Sequence, residues 1–179
     1  MNPEAIFIFV PGGSQSPAIA KALSDRGIDP RKIKIMAQAE LTDEQALKNM
    51  GDTALGIITS AHYDYNHGSK LNKEFVGAFN AAFKRNPDFF AVGGYDGMHL
   101  IYEALKQSSA NTDGEALIAA AKGMAWESPR GPMSIDPATR DVVQTVYMRR
   151  VEKVGGQVVN VEFDKIENVK DPVKARSTN

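Results

Sequence analysis

The sequence predicts an α/β fold in which helices cover a parallel sheet. Over the first half of the chain, continuous apolar runs of strand length alternate with amphipathic segments of helical period. The apolar runs end at glycine, proline or polar residues, as buried parallel strands commonly do. Apolar residues make up 42% of the 179 residues and charged residues 24%, which are values typical of a globular protein.

Three strands are predicted in the first part of the chain, at residues 5–10, 32–36 and 54–61. The first of them, AIFIFV, is apolar at every position, so we expect both of its faces to be buried. A helix is expected to open at Ser16 and Pro17, because proline suits the first turn of a helix. Another helix is expected after Thr42, which has capping-box spacing with Gln45.

The second part of the chain shows a different pattern. The regular elements predicted there are two long helices at residues 69–84 and 88–107, a third helix that starts at residues 112–115, a short extended segment at residues 133–136, and two strands at residues 145–151 and 157–163. Gly155 and Gly156 separate the two strands and supply the positive φ angles of a tight hairpin. Residues 126–132 are expected to be irregular, and the polar residues after 166 are expected to fray.

Composition argues against several functional classes. The 21 basic residues nearly balance the 22 acidic ones, so no nucleic-acid partner is predicted. The absence of cysteine excludes disulfides and thiol chemistry. No apolar run approaches the roughly 20 residues of a membrane-spanning helix. The first residues lack the features of a signal peptide, so we expect an exported form to carry additional sequence before them.

Tyr95 and Asp96 lie between Gly94 and Gly97, early in an amphipathic segment. Glycine lets another group approach the backbone closely, which makes Tyr95 and Asp96 candidate ligand-binding residues. The alternative is an ordinary helix with a core tyrosine and an exposed aspartate, because aromatic residues at helical spacing are usually buried.

Other candidates follow the predicted parallel strands, where α/β proteins bind their ligands. Ser14 and Gln15 follow a glycine pair at the start of a helix, whose backbone N–H groups favour a carboxylate. The lysine of a nucleotide-binding P-loop is absent. Gln38 and Glu40 end the second strand, and Glu40 has the charge to pair with a ligand ammonium. A tight turn and an acidic residue favourable near a helix start are the alternative interpretations.

The loop after the third strand contains His62, Tyr63 and a second histidine, His67. Metal binding requires three or four convergent ligands, so no metal site is predicted there, and no cofactor is predicted elsewhere. We expect instead an aromatic, hydrogen-bonding loop in which His62 and Tyr63 contact a ligand. No Gly-x-Ser-x-Gly sequence is present, and no catalytic residue is predicted.

Several short motifs follow one another along the chain. They are Pro-Gly-Gly after the first strand, Asn-x-x-Phe at 72–75, Gly-Tyr-Asp at 94–96, and Gly-Pro-Met-Ser-Ile-Asp at 131–136. Their order resembles that of the periplasmic substrate-binding proteins of branched-chain amino-acid ABC transporters, the family of the Leu/Ile/Val-binding protein. The resemblance extends over most of the chain.

The resemblance implies the fold of a type I periplasmic binding protein, in which two α/β lobes are joined by three crossovers. It implies that residues 1–62 and 140–166 form the second lobe, a parallel three-layer α/β sandwich. It places the crossover and helices of the first lobe at residues 63–139 and a polar tail at 167–179. The sheet of the first lobe has no counterpart in this sequence. Residues 89–92 are implied to be helical, where propensity alone indicates a strand.

The resemblance also implies a function. The protein would be a periplasmic receptor without enzymatic activity that delivers a small carboxylate-bearing molecule, either an amino acid or an aromatic or other organic acid, to an ABC permease. A ligand-sensing regulatory domain of the same fold is the alternative. Ser14 matches a ligand-contacting position, and Ala39 and Glu40 match the region of an ammonium-binding acid. Without the first lobe's sheet, the apolar faces of the two long helices would be bare, so we expect a homodimer or larger assembly.

Overall fold

The computed structural model describes residues 3–177, and the chain divides into two compact units. Unit 1 comprises Met1–Ala61 and Tyr147–Lys165, and unit 2 comprises His62–Val146 and Ile166–Asn179. The chain therefore passes from one unit to the other three times. How these units correspond to the two lobes implied by the resemblance stays a prediction.

The strands are β1 (Ala5–Ile8), β2 (Lys34–Gln38), β3 (Ile58–Ala61), β4 (Ala125–Ser128), β5 (Gly131–Ile135), β6 (Val142–Val154) and β7 (Gln157–Val169). The α-helices are α1 (Gln15–Asp25), α2 (Glu44–Met50), α3 (Lys70–Phe83), α4 (Phe89–Gln107), α5 (Gly114–Ala121) and α6 (Pro172–Ser177). Short 3₁₀ turns at Ala39–Thr42 and Gly51–Ala54 precede and follow α2. The predicted α/β class is confirmed.

In unit 1, β1, β2 and β3 are parallel neighbours, and β3 pairs in antiparallel register with the Tyr147–Arg150 part of β6. Residues of α1, α2 and these strands form one apolar cluster that includes the fully buried Ile35 and Leu41. The predicted burial of both faces of the first strand is wrong. Ile6 and Ile8 pack against the cluster, whereas Phe7 is 69% exposed, because successive side chains of a strand point to opposite faces.

In unit 2, β4, β5 and the first part of β6 form antiparallel pairs, and α3, α4 and α5 precede them. Each of these helices is capped by a side-chain oxygen that accepts a hydrogen bond from the backbone N–H three residues on. The capping residues are Ser69, Asp88 and Asp113. The helical state expected for residues 89–92 is confirmed, because the Asp88 cap starts α4 at Phe89.

Three local predictions are wrong. Thr42 does not cap α2; it is buried within the preceding turn, and Asp43 caps the helix by accepting from the backbone N–H of Ala46. Part of the segment predicted to be irregular forms β4, which pairs with β5. Residues 167–177 do not fray, because β7 continues to Val169 and α6 follows it; the last two residues lie outside the described range.

Candidate functional site

The candidate residues fall into two sets, one in each unit, and each set is described within its own unit. In unit 1, Ser14 lies at the N-cap of α1 and Gln15 is the first residue of that helix. Both are exposed, and the Ser14 side chain makes no capping hydrogen bond. The first backbone N–H groups of α1 are therefore left without a side-chain cap, which favours an anionic group at this helix end.

The loop before α1 lies against the segment that follows β2. Gly12 has a φ of +80°, and a Cβ atom at this position would lie 3.2 Å from Cβ of Glu40. The fully buried Ser16 donates from Oγ to the backbone carbonyl of Glu40 at 2.9 Å. These contacts hold Glu40, which is half-buried in the 3₁₀ turn after β2, beside the glycine loop.

Gln38, the last residue of β2, connects the ends of two neighbouring strands. Its Nε2 atom donates to the backbone carbonyl of Val10, which follows β1. Its Oε1 atom is buried and has no hydrogen-bond partner among the described residues. Ser14, Gln15, Gln38 and Glu40 thus all lie at or after the carboxyl ends of parallel strands, which is where the sequence predicts a ligand.

In unit 2, Tyr63 is buried and donates from its hydroxyl to Oδ1 of Asn72 at 3.0 Å. Asn72 in turn donates from Nδ2 to the backbone carbonyls of Tyr65 and His67. The loop is therefore aromatic and hydrogen-bonded, and Asn72 of α3 holds it through these three hydrogen bonds. The His62 ring lies edge-on to the Phe89 ring, with 6.1 Å between the ring centroids.

Tyr95 and Asp96 are neighbours in α4 with opposite environments. Tyr95 is 38% exposed, and its ring centroid lies 5.1 Å from that of Phe75 on α3. Asp96 is only 4% exposed. The alternative of a core tyrosine and an exposed aspartate is therefore wrong for both residues.

Asp96 is the centre of a buried polar cluster, which we call the Asp96 cluster. Its carboxylate accepts hydrogen bonds from Trp126 Nε1 at 3.2 Å, Ser128 Oγ at 3.0 Å and Arg130 Nε at 2.7 Å. Arg130 also donates from Nη1 to Gln144 on β6. These contacts satisfy the hydrogen-bonding capacity of the Asp96 carboxylate without a ligand. Tyr95, in contrast, presents its ring at the surface of unit 2.

The sequence prediction did not name Asn72, Ser16 or Arg130 as site residues. Asn72 was visible only as the first residue of the Asn-x-x-Phe motif, Ser16 only as the predicted start of a helix, and Arg130 only as the residue before the Gly-Pro motif. Within residues 3–177, no group of three or more histidine, aspartate or glutamate side chains is placed to hold a metal ion. No helix in that range has the length and hydropathy to cross a membrane.

Comparison with known proteins identifies the family. The profile of the periplasmic binding protein family matches residues 1–157, so the chain belongs to that family. Its members are substrate-binding proteins of ABC transporters and not enzymes. A curated relative, Leu/Ile/Val-binding protein homolog 6 of Brucella melitensis, is 38% identical over 173 residues, which are 94% of this chain and 44% of the relative.

Two solved structures share both fold and sequence with this chain. A solute-binding protein of an ABC transporter from Rhodopseudomonas palustris BisB5, in complex with 3,4-dihydroxybenzoic acid, is 52% identical with a TM-score of 0.88. The similarity covers 96% of this chain and 47% of that one. A solute-binding protein from Rhodopseudomonas palustris HaA2, in complex with p-hydroxybenzoic acid, is 36% identical with a TM-score of 0.91, covering 97% and 48%. The chain thus spans about half the length of these relatives.

Proposed function

We propose that this chain is the part of an ABC-transporter solute receptor that holds a small carboxylate-bearing ligand, and that the ligand is an aromatic acid. The similarity to a solute-binding protein in complex with 3,4-dihydroxybenzoic acid, at 52% identity, is the observation that carries the proposal. The relative in complex with p-hydroxybenzoic acid supports the same ligand class. The relative named for leucine, isoleucine and valine has lower identity and keeps an amino acid as the second candidate.

The geometry of unit 1 supports a carboxylate. The uncapped start of α1 offers backbone N–H groups, and Ser14 adds a hydroxyl donor at the same place. Gln38 and Glu40 belong to the segment that the Ser16 bond and the Gly12 contact hold beside this helix start. In unit 2, Tyr95 is the proposed aromatic contact because its ring is exposed, whereas Tyr63 is buried and its hydroxyl is bonded to Asn72. His62 is half-buried and stays a second candidate contact.

The proposed receptor acts in the periplasm, delivers its ligand to an ABC permease and performs no covalent chemistry. Its test is a titration of the 179-residue chain with 3,4-dihydroxybenzoate, 4-hydroxybenzoate, leucine and, as a negative control, glucose. Ligand-detected NMR suits this test because it measures millimolar affinities. We expect saturable binding of the aromatic acids and their quantitative recovery after prolonged incubation. Conversion of any acid into a product, or failure of every acid to bind, contradicts the proposal.

Tyr95→Ala tests the proposed aromatic contact. We expect this variant to weaken binding of the aromatic acids by about fivefold, because stacking of an aromatic ring is worth on the order of 1 kcal/mol. Tyr102→Ala is the matched control, since Tyr102 is an exposed tyrosine of the same helix. Unchanged affinity together with a lower melting temperature would assign Tyr95 a packing role instead.

We also propose that the chain forms a homodimer or larger assembly through α3 and α4. The exposed apolar residues of these helices support the proposal. They are Phe83, Phe90, Tyr95, Met98, Ile101 and Tyr102. A large exposed apolar surface is unusual for a monomer, and a second copy of the same surface would cover these residues through two-fold symmetry.

Sedimentation velocity at micromolar concentration measures the assembly. We expect a dimer or larger species, and we expect Met98→Glu to shift it towards the monomer, because a carboxylate in an apolar interface must be desolvated. Phe7→Glu is the control, because Phe7 is also apolar and exposed but lies in unit 1. A compact, well-folded wild-type monomer overturns the proposal.

A further inference from the structure

Helix α4 exposes its apolar residues and withdraws its charged ones from water, the reverse of an ordinary surface helix. Asp96 is 4% exposed, and Glu103 is half-buried. The exposed residues from Phe90 to Tyr102 are all glycine, tyrosine, phenylalanine, methionine or isoleucine, so this side of the helix carries no charge over about three turns. A helix side of this composition is normally covered in the assembled protein.

Four of these exposed residues form one line along α4, which we call the glycine seam: Phe90, Gly94, Gly97 and Ile101. Their spacings of four, three and four residues keep them on one side of the helix, as in the contact positions of paired helices. A Cβ atom at either glycine would meet nothing within 4 Å beyond the adjacent helix backbone. The seam therefore has a low centre between two bulky ends, of which Phe90 is 76% exposed and Ile101 49%.

We infer that two copies of the chain pair through the glycine seam, with their α4 helices antiparallel and crossing at the glycines. This inference rests on the proposed assembly, because it specifies the contact within it. The order large, small, small, large reads the same in both directions, so Gly94 of each copy faces Gly97 of the other. Phe90 faces Ile101 in the same way. Crossing helices are closest where they cross and diverge on either side, so glycines suit the crossing and large side chains fill the wider gaps.

Charge also favours a second copy in antiparallel orientation. The seam is uncharged, so an identical seam covers it without desolvating an ionic group. The charged residues before and after it in the chain form ion pairs, Arg85 with Asp88 at 3.2 Å and Lys106 with Glu103 at 2.6 Å, so neither end carries a net charge that repels the other copy. Antiparallel pairing places the partly positive amino end of each helix beside the partly negative carboxyl end of the other.

Gly97→Leu tests the contact, with sedimentation velocity over a concentration series as the measurement. The substitution adds apolar surface, so association driven by apolar exposure alone would become tighter. A leucine at the crossing instead holds the helices apart, and we expect the dissociation constant of the dimer to rise at least tenfold. The melting temperature of the dilute, dissociated protein should not fall, because the space above Gly97 is open and leucine favours a helix more than glycine does.

Gly77→Leu in α3 is the matched control. Gly77 is also an exposed helical glycine with open space above it. Its neighbours one turn away on the helix are the polar residues Lys73 and Asn80, so it lies outside any apolar contact. We expect the wild-type dissociation constant for this variant.

Disulfide trapping measures the orientation of the pair, because the chain has no cysteine of its own. A mixture of Phe90→Cys and Ile101→Cys chains should form a mixed disulfide upon oxidation. Neither variant alone should link to itself, because the two copies of each position would lie about 16 Å apart along the helices. A disulfide spans at most about 7 Å between Cα atoms. Self-linked dimers of each variant would show parallel pairing and overturn the inference.

The outcomes separate this inference from the proposed assembly. A wild-type chain that stays monomeric at every concentration overturns the assembly itself. A wild-type dimer that Gly97→Leu leaves unchanged or tightens, or that Gly77→Leu weakens as strongly, overturns only the glycine seam. The titration with aromatic acids decides the ligand independently of both.

Discussion

Unit 1 buries an apolar cluster between its helices and its parallel strands, whereas unit 2 buries a carboxylate paired with a guanidinium. Ile35 and Leu41 are inaccessible in unit 1, where the helices direct their apolar residues inward. In unit 2, Asp96 and Arg130 form an interior ion pair. Met98 and Ile101, which lie on α4 with Asp96, are exposed. An apolar stripe on a helix therefore predicts a face that tends to be buried, but the stripe does not show which surface covers that face.

The difference also concerns how each unit responds to substitution. An apolar cluster loses stability in proportion to the volume removed, because its contacts are many and individually small. A buried ion pair fails when either partner is removed, because the other charge is then left without compensation. The three predictions below test this contrast, from the largest expected effect to the smallest.

Removing the Asp96 carboxylate should have the largest effect. Asp96→Ala leaves the Arg130 guanidinium buried and also deprives Trp126 and Ser128 of their acceptor. We expect the free energy of unfolding, measured by urea denaturation with circular dichroism, to fall by about 3–5 kcal/mol. Asp25→Ala, which removes an exposed ion pair with Lys21, should cost less than about 1 kcal/mol. Similar losses for the two variants would show that the Asp96 cluster is not what holds unit 2 together.

Truncation of the apolar cluster in unit 1 comes next. Ile35 is inaccessible to solvent, so Ile35→Ala should lower the free energy of unfolding by about 2–4 kcal/mol. Ile166→Ala removes the same atoms from a position on β7 that is exposed, and it should cost less than about 1 kcal/mol. The same urea titration gives both values. A loss for Ile35→Ala no larger than for Ile166→Ala would contradict the assignment of the core.

The smallest predicted effect concerns the titration of a carboxylate in unit 2. A hydrogen bond from Lys170, aided by the backbone N–H groups of Ala138 and Thr139, lowers the pKa of Asp136 from 3.8 to about 2. Because the folded pKa lies below the unfolded value, Asp136 contributes stability above about pH 4 that is lost as the pH falls towards 2. Lys170→Met should raise this pKa, although not to 3.8, since the backbone donors remain. Carboxylate NMR measures it directly.

Unit 1 provides the matched case for this titration. Hydrogen bonds from Arg31, which is only two positions away in the chain, lower the pKa of Asp29 to about 2. Arg31→Met should therefore raise the pKa of Asp29 and leave that of Asp136 unchanged. If Lys170→Met leaves the pKa of Asp136 unchanged, the contact between the chain end and the turn after β5 does not persist in solution.

The sequence predictions succeeded where the contacts that determine the structure join residues close together in the chain. The two long helices were predicted from the helical spacing of their apolar residues. Their caps, Ser69 and Asp88, also lie next to the helices they start, so both signals are local. The helical state of residues 89–92 came from the resemblance, because the aromatic pair Phe89 and Phe90 by itself favours a strand. Local pattern also placed the hairpin turn at Gly155, where φ is positive.

The failures concern contacts that cross long stretches of the chain. The partners of Asp96 are 30 to 34 residues away, so no local pattern shows that it is buried and paired. The run AIFIFV has no polar position, yet only alternate residues meet the apolar cluster, and nothing in the run shows which face that will be. The unengaged oxygen of Gln38 is likewise visible only after the amide has found Val10, 28 positions earlier in the chain.

Trp126 of the Asp96 cluster is an intrinsic fluorescent probe of unit 2. Trp126 is the single tryptophan of the sequence, and its Nε1–H is bonded to the Asp96 carboxylate. Its emission therefore reports on one locality in unit 2, whereas far-ultraviolet dichroism averages over every helix and strand. Recording both signals during one denaturation needs no added dye and no engineered site. Coincident midpoints would identify a single cooperative transition, and separated midpoints would give each unit its own melting curve.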